Sequence, residues 1–137
     1  MEDNKLFNLK VVTPDRIFYD GMVEMVELKT TEGDIGILKG HIPLTAVVAP
    51  GALIIKEASD TKEAALIDGI VRILGDSVTV LAQSCEWPDE IDVNRANEAK
   101  IRAERRLSGQ EGEVNFQRAE LALKRSITRL EVADKYK

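Results

Sequence analysis

The sequence predicts an all-β sandwich domain over residues 1–87, followed by an antiparallel two-helix hairpin domain over residues 88–137. In the first part, short segments with alternating apolar and polar residues are separated by turn dipeptides that contain glycine. After Trp87-Pro88 the chain has no further proline, and apolar residues recur at three- and four-residue steps. The change of period places the domain boundary at this dipeptide.

The first part contains several strand signals. Alternation predicts that one face of each strand is buried, with inward-facing Phe7, Leu9, Val11, Val26, Leu28, Val78, Val80 and Ala82. Asp68-Gly69 lies between two apolar pairs and predicts a hairpin turn, and Pro50-Gly51 and Gly75-Asp76 predict further turns. Many short strands with regular turns indicate a sandwich or barrel.

The second part contains two helix signals. Asp92 is suited to cap the first helix, and Gly109 is suited to the left-handed turn after it. A second helix is expected to begin near Glu113. The predicted inner faces consist of Ala96, Ala99, Ala103 and Leu107 on the first helix, and of Phe116, Ala119, Leu123, Ile127 and Leu130 on the second. No internal repeat is apparent at this level.

Composition excludes several classes of function. The net charge of −5 and the aromatic content of 4% disfavour nucleic-acid binding, which needs a positive surface and often stacking rings. Cys85 is the only cysteine and His41 the only histidine, so an intrachain disulfide cannot form and the usual zinc ligands are missing. No apolar run is long enough to span a bilayer. The polar, acidic N-terminus resembles neither a secretory signal nor a transit peptide.

Motifs for catalysis are also missing. The sequence has no nucleophile elbow, Walker loop or dinucleotide-binding fingerprint. Gly33-Asp34-Ile35-Gly36 lacks the lysine and the helix of a phosphate loop, which favours a turn between strands. His41 has no nucleophile or carboxylate at a recognisable spacing, which favours an interface or structural role.

The arginines of the second part carry the strongest chemical signal. Arg95 and Arg102 are seven residues apart and share a face of the first helix, whereas Arg125 and Arg129 are four apart and share a face of the second. If the hairpin brings these pairs together, an anion must offset their repulsion, and guanidinium groups suit phosphate oxygens. The alternative is two solvated helices with ion pairs such as Glu98 with Arg102.

The whole chain resembles the epsilon subunit of the F-type ATP synthases of bacteria and chloroplasts. The residues that carry the resemblance are Thr13-Pro14-Asp15, Glu32 to Leu38, Gly40-His41-Ile42-Pro43-Leu44 and Pro50-Gly51. It implies a non-catalytic rotor subunit on the central stalk, peripheral to the cytoplasmic face of the bacterial membrane. Such a subunit helps to couple ion translocation to ATP synthesis, and its mobile hairpin inhibits ATP hydrolysis.

The resemblance also implies an effector and partners. Ile91-Asp92-Val93-Asn94-Arg95-Ala96 matches the ATP-binding motif of some members, in which Ile91, Asp92, Arg95 and Ala96 are the motif positions. Glu86 precedes the motif, and Arg102, Arg125 and Arg129 match further ATP-binding positions, so ATP is expected as a regulatory ligand with no required cofactor or metal.

The implied partners of the sandwich are the ring of c subunits, at Glu32 and Asp34, and the gamma subunit, at His41. The extended hairpin is expected to reach the catalytic alpha/beta head. An ordinary solvated turn remains an alternative for Glu32 and Asp34. For the whole chain, the alternatives are a nucleotide-sensing adaptor unrelated to a rotor and, with less support, a small hydrolase.

Overall fold

The computed structural model describes residues 5–109 and 115–135. It confirms the fold class, because the described chain forms eight strands followed by two α-helices. The chain divides into two compact units, Met1–Glu86 and Trp87–Lys137. The strands are β1 (Phe7–Val12), β2 (Ile17–Val23), β3 (Met25–Thr30), β4 (Gly33–Leu38), β5 (Leu44–Val48), β6 (Gly51–Lys56), β7 (Thr61–Leu74) and β8 (Ser77–Glu86).

The eight strands form one hydrogen-bonded network that folds into the layers of a sandwich. Its order is β2-β1-β8-β7-β5-β3-β4, and β6 pairs with β3 and β7 outside this path. All pairs are antiparallel except β1 with β8. The alternation expected from the sequence is confirmed, since Phe7, Leu9 and Val11 of β1 are buried and the residues between them are half-buried.

The prediction of a hairpin turn at Asp68-Gly69 is wrong, because both residues lie inside β7. The first half of β7 pairs with β6, up to Leu66, and the second half pairs with β5, from Gly69 onward. Asp68 has φ 52° and Gly69 φ 136° at the point where the strand changes partner. The dipeptide therefore bends a strand between two layers, a use of turn chemistry that local sequence does not distinguish from chain reversal.

Turns at the other predicted positions are present. Gly75, with φ 63°, begins the two-residue connection between β7 and β8, and Pro50-Gly51 lies where β5 gives way to β6. The stretch from Gly33 to Gly36 is not a turn but the first part of β4, and residues 31–32 make the turn before it. The conclusion that it is no phosphate loop is unaffected.

A cluster on the sandwich surface ties β2 to the connection between β6 and β7. The Tyr19 hydroxyl donates a 2.6 Å hydrogen bond to Glu57 Oε2, and Lys62 Nζ lies 3.3 Å from the same oxygen. Burial, with the hydrogen bond to Glu57, raises the pKa of the Tyr19 hydroxyl above its usual range. The hydrogen bond from Tyr19, with the ammonium of Lys62, lowers the pKa of Glu57.

The second unit begins with a 3₁₀ turn at Pro88–Glu90 and continues as α1 (Val93–Leu107) and α2 (Phe116–Lys135). Asp92 caps α1, as expected, because its carboxylate accepts a 3.0 Å hydrogen bond from the Arg95 N–H. Gly109 follows α1 with φ 79°, the left-handed conformation expected there. The start of the second helix expected near Glu113 lies outside the described residues.

The apolar face of α2 differs from the expected one. Ala119, Ser126, Thr128 and Val132 are buried, whereas Leu123, Ile127 and Leu130 are half-buried and Phe116 is 58% exposed. The expectation followed the large apolar residues. In the structure the buried residues of α2 are smaller than the expected ones, and the buried residues of α1, Ala96 and Ala103, are small as well.

Candidate functional site

The two helices of the second unit pack against each other in an antiparallel arrangement. A groove of about 520 Å³ shows the alignment, because it joins residues of the first half of α1 to residues of the second half of α2. Its lining consists of Val93, Asn97, Lys100, Ile127, Leu130, Glu131, Ala133 and Asp134. The start of α1 therefore lies beside the end of α2, and the predicted hairpin is confirmed.

Positions next to the buried residues show which flank each arginine occupies. On α1, Asn97 follows buried Ala96 and lines the groove, whereas Arg95 precedes Ala96. Consecutive helical residues are about 100° apart, so Arg95 lies on the flank opposite the groove. Arg102 precedes buried Ala103 and shares this flank.

The same relation holds on α2. Ile127 follows buried Ser126 and lines the groove, whereas Arg125 precedes Ser126. Arg129 lies one turn after Arg125 on the same flank. Since the groove residues of both helices share one side of the hairpin, these arginines share the other side with those of α1. We call this surface the arginine flank and define it first by Arg95, Arg102, Arg125 and Arg129.

The charges of the arginine flank are not neutralised by the ion pair considered from the sequence. Glu98 and Arg102 form no salt bridge, and within residues 5–109 and 115–135 neither Arg95 nor Arg102 has a side-chain hydrogen bond or ion pair. Both are exposed, while Arg125 and Arg129 are half-buried and have interaction partners. A surface with four guanidinium groups on one side of two packed helices attracts anions.

The other predicted ATP-binding residues have roles in the structure of the chain itself. Ile91 and Ala96 are buried, at 8% and 5% exposure, so they support α1 and its entry rather than present polar groups. Asp92 is occupied as the helix cap. Glu86 is the last residue of β8, in register with Ala65, and belongs to the first unit.

The predicted partner-contact residues of the sandwich lie at its surface. Glu32 and Asp34 are exposed in and after the turn between β3 and β4. Thr30 holds this turn, because its hydroxyl donates to the Gly33 carbonyl at 2.7 Å and accepts from the Glu32 N–H at 3.1 Å. His41 is half-buried between β4 and β5, where Nδ1 lies 2.8 Å from the Ile42 carbonyl oxygen.

Sequence reasoning missed an exposed apolar row on the sandwich. Direct register partners run across five strands from Ile17 to Val12, Leu81, Ile70 and Val47. Four of the five are 45–57% exposed, and Val12 is half-buried. Because the residues are far apart in the chain, only the strand register brings them together, and no local signal could have found them. Such a row is typical of a protein–protein interface.

The part of the chain that the structure describes lacks a metal-binding cluster and a membrane-spanning helix. Residues 5–109 and 115–135 contain no group of three or more His, Cys, Asp or Glu side chains placed to hold a metal ion. Neither helix within these ranges combines the length and apolarity needed to cross a membrane.

Comparison with known proteins shows the family. The model of the ATP synthase delta/epsilon chain β-sandwich domain matches residues 6–88, and that of the long α-helix domain matches residues 89–134. The chain belongs to the ATP synthase delta/epsilon chain family. The resemblance inferred from the sequence is thus confirmed, and this family member is a subunit of an ATP synthase rather than its catalytic subunit.

Relatives of this family member match along nearly their whole length. It is 47% identical over 134 residues to the ATP synthase epsilon chain of Caldanaerobacter subterraneus subsp. tengcongensis, with 97% of each chain covered. It is 45% identical over 131 residues to that of Ruminococcus albus, with 95% of this chain and 98% of the relative covered.

The fold of this family member is also found in a solved structure. A chain in the Euglena gracilis mitochondrial ATP synthase structure, which contains OSCP, F1 and the c-ring, has a TM-score of 0.80 and 22% identity. The match covers 97% of this chain and 84% of that one.

Proposed function

We propose that this chain is a central-stalk rotor subunit that helps to couple ion translocation to ATP synthesis. We further propose that its hairpin is a mobile arm that inhibits ATP hydrolysis and is regulated by bound ATP. The observation that carries the regulatory part is the arginine flank, where Arg95, Arg102, Arg125 and Arg129 lie on one side of two packed helices.

The charge and the hydrogen-bonding chemistry of this flank support ATP as its ligand. Guanidinium groups bind phosphate oxygens through paired hydrogen bonds, and a triphosphate offsets the repulsion among four cations. The Asp92 carboxylate already accepts the Arg95 N–H, so its role is to hold the start of α1 rather than to contact phosphate. Following the family motif, Glu86 is assigned to the adenosine end of the ligand.

Regulation follows from the way the arginines are distributed. Two belong to α1 and two to α2, so only a packed hairpin presents all four to one ligand. A ligand that binds one state better than another shifts the population toward that state. High ATP is therefore expected to retain the folded arm, whereas ATP depletion releases it to reach the catalytic alpha/beta head.

The sandwich supplies the surfaces for the rotor partners. The apolar row from Ile17 to Val47 supports docking of the gamma subunit, with His41 as a further contact. Burying the exposed half of such side chains contributes about 1 kcal/mol each. Glu32, in the turn after β3, and Asp34, in the first part of β4, are assigned to the c-subunit ring. These contacts make the chain peripheral to the membrane, on the cytoplasmic face in a bacterial cell.

A calorimetric titration of the full chain with ATP tests the regulatory site. Saturable 1:1 binding is expected, and Arg129→Ala should weaken it about tenfold or more, since a hydrogen bond to a charged group contributes about 1.5–3 kcal/mol. Arg105→Ala, an exposed arginine of α1 outside the arginine flank, is the matched control and should bind ATP normally. Equal affinity of both variants would refute the site.

The same samples test the absence of catalysis. After prolonged incubation with the chain, ATP should remain intact, and phosphate release above a protein-free control would support the hydrolase alternative. Co-purification with a gamma subunit distinguishes the rotor subunit from a nucleotide-sensing adaptor, which should not bind gamma.

A further inference from the structure

The two helices are copies of one arginine pattern, so the expectation of no internal repeat is wrong. Residues 95–107 read RANEAKIRAERRL and residues 118–130 read RAELALKRSITRL. Six of the thirteen aligned positions are identical: three arginines, two alanines and a leucine. The repeat adds Arg106 and Arg118 to the four arginines selected from the family motif, and alignment of the helices with each other would have revealed both.

The structure repeats along with the sequence. At the start of α1, Asp92 Oδ1 accepts a 3.0 Å hydrogen bond from the Arg95 N–H. At the equivalent place in α2, Asn115 Oδ1 accepts a 3.1 Å hydrogen bond from the Arg118 N–H. Arg118 precedes buried Ala119 just as Arg95 precedes buried Ala96. Both helices therefore start in the same way and present their arginines at the same angle to the helix–helix interface.

This equivalence places six arginines on the arginine flank. Arg118 lies on the flank because it immediately precedes a buried alanine, and Arg106 because it follows Arg102 by one turn. Each helix thus carries a row with spacings of seven and four residues, about 16 Å long at 1.5 Å per residue. In an antiparallel hairpin the central members, Arg102 and Arg125, lie in the middle of the flank.

Helix stability accounts for only part of these rows, since Arg106 alone lies in the last turn of its helix, where the dipole favours a cation. Arg102 with Arg106, and Arg125 with Arg129, are like-charge pairs one turn apart, which destabilise a helix. Arg118 lies in the first turn of α2, where the helix dipole disfavours a cation.

The acidic residues are mostly elsewhere on the hairpin. Glu104 and Glu120 each follow a buried alanine and so lie on the groove flank, where Glu131 and Asp134 line the groove. The hairpin is therefore basic along one flank and largely acidic along the other.

We infer that the hairpin has a second anion site, formed by Arg106 and Arg118 and sharing Arg102 and Arg125 with the proposed nucleotide site. The cap nearest the second site is the neutral amide of Asn115, so the repulsion that Asp92 exerts on an anion is absent there. Because the central arginines are shared, the ligand that uses the flank best is a single linear polyphosphate chain along both rows.

Titration of the full chain with long-chain inorganic polyphosphate, and separately with tripolyphosphate and ATP, tests the second site. The wild-type chain should bind the long chain more tightly than tripolyphosphate. The double variant Arg106→Gln with Arg118→Gln should bind the long chain about tenfold or more weakly, and its affinity for ATP should change less than about threefold. Glutamine preserves helix propensity, which circular dichroism can verify.

The matched control removes two cations from the same helices outside the arginine flank, as Arg105→Gln with Lys124→Gln. It should change long-chain binding less than about threefold, because charge at that side contributes only a general attraction. The second site would be overturned if the two double variants lost the same affinity for the long chain. It would also be overturned if Arg106→Gln with Arg118→Gln lost affinity for ATP and for polyphosphate equally, or if the wild-type chain did not prefer the long chain. If the wild-type chain does not bind ATP, but Arg106→Gln with Arg118→Gln loses affinity for polyphosphate and the control variant does not, the nucleotide site is wrong and the second site stands.

Discussion

Among the glycines of the sandwich, Gly69 is the one at which an added methyl group should be most damaging. A Cβ atom at this residue would lie 2.0 Å from the Leu81 carbonyl oxygen and 2.9 Å from the Ala82 Cα. Both are backbone atoms of β8, so no side-chain rotation can relieve the overlap. The φ of 136° adds a second penalty, because L-residues rarely adopt it.

These two effects set the size of the expected loss for Gly69→Ala. Backbone strain of this kind costs about 1–3 kcal/mol, and overpacking in a dense interior costs about 1–3 kcal/mol. The free energy of unfolding of the sandwich should therefore fall by about 2–6 kcal/mol, a large part of the 5–15 kcal/mol typical of a domain. Gly75→Ala is the matched control, since Gly75 also has positive φ, 63°, but nothing within 4 Å of the added Cβ; it should cost about 1–2 kcal/mol.

Thiol labelling of Cys85 under native conditions measures this loss in the sandwich alone. Cys85 is the only cysteine, is buried in β8 and pairs in register with Leu66 of β7, so it reacts only when these strands open. The labelling rate should rise about 30-fold to 10⁴-fold in Gly69→Ala, because each 1.4 kcal/mol is about a factor of ten. A rise of less than about tenfold over the wild-type rate would refute the reasoning.

Three further changes test other parts of the structure. Tyr19→Phe should make the stability of the sandwich depend less on pH on the acid side. Because the pKa of Glu57 is lower in the folded chain than in the unfolded chain, this group stabilises the fold above its unfolded pKa, and the contribution is lost as pH falls through its folded pKa. Denaturant midpoints measured from pH 7 to pH 3 should therefore change less in the variant, which lacks the hydroxyl. Asp92→Ala should cost about 1 kcal/mol of hairpin stability, seen as lower helicity by circular dichroism on mild heating, whereas Asp92→Asn should retain most of it. Ile70→Lys, within the apolar row, should weaken gamma-subunit capture about tenfold or more with little change in thermal unfolding. Capture equal to that of Thr61→Lys, an exposed residue at the first position of β7, would contradict the assignment.

Features that depend on local chemistry were predictable from the sequence. The alternation of β1, the Asp92 cap and the left-handed Gly109 each follow from side-chain properties within a few residues. The position of Arg125 and Arg129 on one face of α2 follows from helical spacing alone.

Features that depend on distant partners were not predictable. Asp68-Gly69 has the composition of a turn, and only the presence of β6 and β5 on either part of β7 makes it a bend within a strand. The apolar row depends on the register of five strands. Two of them, β1 and β8, pair in parallel although they are the first and the last strand of the domain in sequence. The burial of Ser126 and Thr128 in place of Leu123 and Ile127 depends on what packs against α2, which the sequence of α2 alone does not show.

The small residues between α1 and α2 also determine the width of the arginine flank. Helix axes approach to about 8 Å when the side chains between them are small, and separate to about 10 Å with larger ones. Ala96 and Ala103 are the buried residues of α1, so they favour a short separation between the two rows of guanidinium groups. Replacing either alanine by leucine would leave every arginine in place yet widen the gap between the rows, so binding at the proposed site is expected to weaken although no charge is lost.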